Sequence, residues 1–322
     1  MRWHPTPKAI VTGVLSLTLV SLLLSFSDFK VLLKAILLPG TTIAGLFGLM
    51  LPYLAAKWIV WLRLLRQAGI DAPWPDVFFS YMGGEMTKSL PGGIYFQNYL
   101  LSLLSGHRVA EGVATSTVLV GMEAAVTMAM ILMLGIPGWP WVRPLMVCIA
   151  LGWIVLLFSL WRFNLVARLR PWADRGHPMI ARLLEQAHIF SLGLKAIWHP
   201  LLWLELILLS AIYLVAAGSQ LFLIAYRLDP HALSFGGANA AHAFSLLLPL
   251  MSPIPIQIGF AELTGTGALM AEGIPRGIAI SLIFAFRLWN NGLVYPIALP
   301  VMLAMRSRLH QVLRGRQEPP KN

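Results

Sequence analysis

Six stretches of this sequence stay apolar for about twenty residues each, the length an α-helix needs to cross the hydrocarbon of a bilayer. They run from Ile10 to Ser27, Thr41 to Leu62, Gly112 to Ile136, Val142 to Trp161, Leu201 to Tyr226 and Gly277 to Leu303. A water-soluble fold is excluded, because a chain of 322 residues that is 58% hydrophobic and 11% charged cannot hide its apolar surface in one core. Barrel strands are excluded as well, since those alternate over about ten residues and these runs do not. In lipid every backbone polar group needs an internal partner. The sequence therefore predicts an all-α polytopic integral membrane protein, one membrane domain over residues 1–322, with about six spanning helices.

Two further apolar stretches are interrupted. Residues 74–107 contain Pro75, Gly83, Gly84, Pro91, Gly92 and Gly93. Residues 236–273 carry apolar pieces on either side of Pro249, Pro253 and Pro255, with Gly259 close behind. Interior proline removes a helical hydrogen bond, and irregular backbone at membrane depth survives only where protein or a watery cavity satisfies it. Both stretches are predicted to be re-entrant broken-helix hairpins, with Pro91, Gly92 and Gly93 shaping the first and Pro253, Pro255 and Gly259 the second.

The chain also resembles itself. Tyr53 and Ala55-Ala56 return as Tyr213 and Ala216-Ala217; Arg63-Leu64 as Arg227-Leu228; Pro91 as Pro255; Phe96 as Phe260; Gly112, Ala114 and Ser116 as Gly277, Ala279 and Ser281. The ordered series predicts two repeat halves, approximately 29–137 and 190–303. A hairpin returns to its own side, so the two spans between the copies leave the halves facing opposite ways, the inverted repeat of many transporters.

Charge sets the orientation. The formal net charge is +11, and its distribution fits the positive-inside rule better than nucleic-acid binding. Arg2 and Lys8, Arg63 and Arg66, Arg108, the six basic residues of 162–195 and the five from Arg306 onward fall on one side, sixteen of the 24 lysines and arginines. Both termini are thus predicted to be cytoplasmic. Residues 162–199 read as a cytoplasmic amphipathic linker, with Ile180, Leu183, Leu184, Ala187, Phe190 and Leu194 at helical spacing. The single cysteine, Cys148, lies in a predicted span and builds no disulfide framework.

Ionisable groups inside the bilayer are costly, about 2.5–3.5 kcal/mol at a helix centre on insertion scales, and mark candidate functional sites. Lys57, Lys88 and Arg287 lie at membrane depth, as do Glu85, Glu123, Glu205 and Glu262. The candidate substrate-binding set is Glu85, Lys88, Asn98, Glu262, Arg287 and Asn290. Glu85 and Lys88, at i and i+3 on the first hairpin, can pair or line a polar cavity. Buried pairs that only fix packing are the competing reading, and for Asn98 and Asn290 it is interhelical hydrogen bonding.

The stretch "SPIPIQIGFAELTGTGALMAEGIP" and the following "FRLWNNGL", with "LPGGIYFQNYLLSLLSGHRVAEGVATSTV" earlier, resemble the flippase-like transmembrane domain of lysylphosphatidylglycerol synthases, the multiple peptide resistance factors. Pro255, Gly259, Glu262 and Arg287 match the family's late pattern, whereas Ile256 and Gln257 stand where glycines are usual. No synthase domain is expected after Arg316. The resemblance implies binding or translocation of a polar-headed lipid, phospho- or polyprenyl-type, across the inner (cytoplasmic) membrane of a bacterium. A non-transporting scaffold or accessory protein of a lipid or glycan pathway is the alternative, and a membrane glycosyltransferase a more distant one.

Enzyme motifs are missing: the sequence has no H-E-x-x-H, G-x-S-x-G or Walker A pattern, and its histidines show no metal-ligand spacing. No catalytic residue, metal or cofactor is therefore expected. The expected partner is membrane lipid, not nucleic acid, with a homo-oligomer or a pathway enzyme as a further partner.

Overall fold

The computed structural model describes residues 7–88, 93–107, 109–163, 200–251, 259–307 and 309. Every regular element in it is helical. The elements are α1 (Pro7–Ser25), α2 (Phe29–Ile36), α3 (Gly40–Gln67), α4 (Trp74–Thr87), a 3-10 turn (Gly93–Tyr95), α5 (Phe96–Ser105), α6 (Val109–Leu134) and α7 (Val142–Phe163). After the linker come α8 (Pro200–Leu228), α9 (Phe235–Met251), α10 (Phe260–Ala271), α11 (Arg276–Gly292) and α12 (Val294–Ala304). The amphipathic helix expected in the linker falls outside the described residues, as do Pro91, Gly92, Pro253 and Pro255.

Among the described residues, four segments are long and apolar enough to cross a membrane: Gly40–Gln67, Thr115–Leu134, Leu201–Leu228 and Arg276–Ala304. Their outward residues are large and apolar, including Leu51, Met133, Leu204, Leu208, Leu288 and Leu303, a surface that only lipid or another apolar partner suits. Two of the expected spans differ in detail. The first is not straight: α1 turns through 106° into α2, and Asp28 caps the new helix by accepting from the N–H groups of Lys30 and Val31. The last is divided at Leu293 into α11 and α12, because Pro296 has no N–H to offer the carbonyl one turn earlier.

Each interrupted stretch is a pair of short helices packed on each other, α4 on α5 and α9 on α10. At a rise of about 1.5 Å per residue these helices are roughly 15–26 Å long, under the ~30 Å of hydrocarbon. Glycine lets the first pair close. A Cβ on Gly84 would fall 2.8 Å from Gln97 Cβ, and one on Gly83 would meet Leu100. The Thr87 hydroxyl lies 2.9 Å from the Gly83 carbonyl and 3.1 Å from that of Gly93, tying the end of α4 to the return of the chain.

Helices from before and after the linker interlock. Helix α3 packs along α8, α9 against α6, and α4 against α12. Small residues make the α3–α8 approach possible, with Gly45 under Leu223 and Ala56, Ala216 and Ala217 all buried. At its middle the rings of Tyr53 and Tyr213 meet edge to face, centroids 6.0 Å apart. The elbow after α1 is fastened to α11: Asp28 N–H donates to Gly277 O at 3.1 Å, Ser281 Oγ to Asp28 O at 2.8 Å, and Trp289 Nε1 to Ala35 O at 3.0 Å.

The turn after α6 is fastened to the end of α10. Gly138 N–H donates to Ala271 O at 3.0 Å, and a Cβ there would lie 2.2 Å from that oxygen and 2.9 Å from Ala271 C and Cα, all backbone. Gly138→Ala should therefore lower the melting temperature of the detergent-solubilised protein, by the 1–3 kcal/mol typical of overpacking. Gly48, on α3, has nothing within 4 Å of its would-be Cβ, and Gly48→Ala should leave the melting temperature equal or higher.

Candidate functional site

One charged residue from each of α4 and α6 meets Lys57 of α3. Its Nζ lies 3.1 Å from Glu85 Oε1 on α4 and 3.2 Å from Glu123 Oε1 on α6. All three residues are buried, at 7%, 5% and 6% exposure. The ammonium also sits 5.6 Å from the ring centroid of Tyr53 and 5.7 Å from that of Tyr213, within cation–π range. Periodicity places these groups together: Tyr53 and Lys57 are one turn apart on α3 and share a face.

Glu85 is held from a second direction. The Tyr53 hydroxyl donates to Glu85 Oε2 at 3.2 Å, and Lys88 Nζ lies 3.1 Å from the same oxygen. Lys88 donates further, to Tyr53 Oη at 3.2 Å and to Asn290 Oδ1 on α11 at 3.3 Å. Asn290 Nδ2 donates to Gln220 Oε1 on α8 at 2.9 Å, and Gln220 Nε2 to the Leu46 carbonyl of α3 at 3.3 Å. The polar chain thus begins and ends on α3, passing through the first hairpin, α11 and α8.

Beside this network lies a cavity of about 230 Å³, into which Lys57, Lys88, Glu123, His242, Glu262, Arg287, Asn290 and Asn291 face. Tyr53, Tyr213 and a set of apolar side chains, Leu214, Leu246 and Pro249 among them, complete its wall. Glu262 stands in the first turn of α10, where one carboxylate oxygen accepts from the N–H of Gly259, the residue that precedes the helix. Its other oxygen lies 3.6 Å from Arg287 Nε, an ion pair too long for a hydrogen bond.

Of the residues singled out from the sequence, Lys88, Glu262, Arg287 and Asn290 surround this cavity, and Glu85 lies directly behind Lys57 and Lys88. Asn98 is elsewhere. It exchanges hydrogen bonds with Ser116 Oγ at 2.9 and 3.1 Å, and Gln97 Nε2 reaches the same hydroxyl at 3.1 Å, so these amides fasten α5 to α6. Gly93 lies against the Thr87 carbonyl, and Gly259 adopts a φ of +93° against Leu19 of α1. Among the described residues no group of three or more histidine, cysteine or acidic side chains could hold a metal ion.

Sequence reasoning flagged Lys57 and Glu123 as charges at depth without placing them in the site, and it passed over Tyr53, Gln220 and His242. Lys57 carried a signal, being a lone cation in the middle of an apolar run. His242 carried none, because one histidine among small apolar residues has no pattern to detect.

The arrangement belongs to a known membrane module. A family model described as the lysylphosphatidylglycerol synthase TM region matches residues 9–298. The chain belongs to that family. The match runs from α1 into α12 and so takes in both helical pairs, the Lys57 network and the cavity. No match was found among curated proteins.

The Lys57 network makes its own prediction. Lys57→Met leaves Glu123 buried without a cation, and removing one member of a buried pair costs about 3–5 kcal/mol. The variant should lose its monodisperse peak in size-exclusion chromatography. Lys57→Met/Glu123→Gln should recover most of it, because Glu85 keeps Lys88 and Tyr53. A single variant as stable as the wild type would show that the network carries no structural weight.

Proposed function

We propose that this protein binds a polar-headed membrane lipid, phospho- or polyprenyl-type, in the central cavity and moves its headgroup across the cytoplasmic membrane. The observation that carries the reading is the cavity itself: three cations, two carboxylates and two asparagines face a space of about 230 Å³ inside a bundle whose exterior is apolar. A purely structural charge network needs no space beside it. Intramembrane charges facing a cavity mark a substrate pathway in membrane proteins generally, and membership of a lipid-synthase transmembrane family supports a lipid as the cargo.

In this reading the short helical pairs α4–α5 and α9–α10 are re-entrant hairpins, and α1–α2, α3, α6, α7, α8 and α11–α12 are the six crossings. The halves are inverted copies. Supporting this, helix starts at 40, 74, 96 and 109 recur at 200, 235, 260 and 276. The packing is reciprocal too, each hairpin lying against the last helix of the other half, α4 on α12 and α9 on α6. Both termini and the linker face the cytoplasm, where the basic residues concentrate. The chemistry required is desolvation and passage, with no bond made or broken, so no catalytic residue or cofactor takes part, and the obligatory partner is the lipid.

Two measurements test this. Proteoliposomes carrying the purified protein should move at least one lipid of a headgroup panel faster than empty vesicles. Lys88→Gln should cut that rate at least tenfold at normal abundance, since Glu85 retains Lys57 and Tyr53. Lipid that co-purifies yet never moves would favour the scaffold reading. For topology, in a Cys148→Ala background, Arg175→Cys and Glu318→Cys should be shielded from an impermeant maleimide in intact cells while His231→Cys reacts; the opposite labelling would invert the orientation.

A further inference from the structure

Hydrogen-bonding capacity is used up in one set of the cavity's residues and open in another. Around Lys57 every charged group has its partners: Lys57 has two carboxylates, and Lys88 has Glu85, Tyr53 and Asn290. His242 of α9 and Arg287 and Asn291 of α11 are different. His242 is 4% exposed and faces the cavity. Its ring meets Phe286 edge to face at 5.3 Å, and neither Nδ1 nor Nε2 has a hydrogen-bond partner. Arg287 Nε and Nη2 are likewise buried without one, as is Asn291 Oδ1. Three polar side chains orphaned side by side are unusual, because each forfeits its hydration on burial.

Glu262 does not satisfy the guanidinium. It is tied to the Gly259 N–H and stands 3.6 Å from Arg287 Nε. The guanidinium therefore keeps a planar fork of N–H donors, the geometry that fits two oxygens of a phosphate. Ala261 brings the first turn of α10 to the same wall, and the N-terminal end of a helix favours negative charge. The first half has no such end. By the match of Phe96 with Phe260, Asn98 stands where Glu262 does, and there Asn98 and Gln97 are both satisfied by Ser116.

We infer that Arg287 and His242 form a phosphate subsite, with Asn291 accepting a hydroxyl or ammonium proton from the same headgroup, so that the ligand is a phosphate-bearing lipid and not a neutral glycolipid or diacylglycerol. This rests on the reading that the cavity is the lipid's path. It assigns two parts of the wall different work: Lys57 with Glu85 and Glu123 holds the helices, and Arg287 and His242 hold the phosphate, with Lys88 facing the same cavity on the lipid's path.

The test is binding, kept separate from transport, on the full chain in dodecyl maltoside, a phosphate-free detergent. Dioctanoyl phosphatidylglycerol should raise the melting temperature saturably, while dioctanoylglycerol, with the same tails, should not. Arg287→Gln and His242→Phe should each weaken phosphatidylglycerol binding at least tenfold and leave any response to dioctanoylglycerol unchanged. If Arg287→Gln does not fold, His242→Phe decides alone. Equal responses to the two lipids, or wild-type affinity in a folded variant, overturn the inference. So does inorganic phosphate acting at the concentration that suffices for phosphatidylglycerol, which would make the ligand a soluble phosphate. Binding through Arg287 without movement in vesicles keeps this inference and drops the transport reading; movement of a phosphate-free lipid does the reverse.

Discussion

The interior of this protein is organised around the ammonium group of a lysine that is only 7% exposed. Lys57 sits in the middle of a long apolar helix, and the desolvation of such a group is tolerated only when good geometry and further hydrogen bonds offset it. Two carboxylates supply the offset, and they come from different elements, the first hairpin and α6. The depth and rotation of α4 and α6 against α3 are thereby set by one charge. Dispersion between Leu, Val and Ala side chains could not do this, because lipid tails compete with it on nearly equal terms.

Under the repeat proposed above, the halves share a packing scheme and differ in chemistry. Tyr53 aligns with Tyr213, yet one turn on the first half has Lys57 and the second has Ala217. Asn98, satisfied by Ser116, aligns with Glu262, which faces the cavity. The proposed duplication thus leaves a polar network on one side and an open polar face on the other.

How much of this could be read beforehand depends on the range of the interaction involved. Helices and breaks follow from local pattern: run length, Gly83-Gly84, and the prolines around 249–255. The i,i+3 pair of Glu85 and Lys88 is equally local, and the two groups do meet. Glu262 and Arg287, on successive helices, also face each other. Lys57 with Glu123 could not be matched this way, since their sequence separation says nothing about which faces of α3 and α6 touch. For Asn98 both readings stayed open in the sequence for the same reason: an amide on a short broken helix reads alike whether it lines a cavity or, as here, bonds Ser116 on the next helix.

The contact between Tyr53 and Tyr213 has a geometric meaning of its own. If the halves are the inverted copies proposed above, equivalent residues can touch only near the axis relating them, and a pair on an exact twofold would present the same pose from both sides. An edge-to-face pair at 90° does not: one ring offers its edge and the other its face. The two tyrosines therefore stand in different environments even where the proposed repeat would make them equivalent.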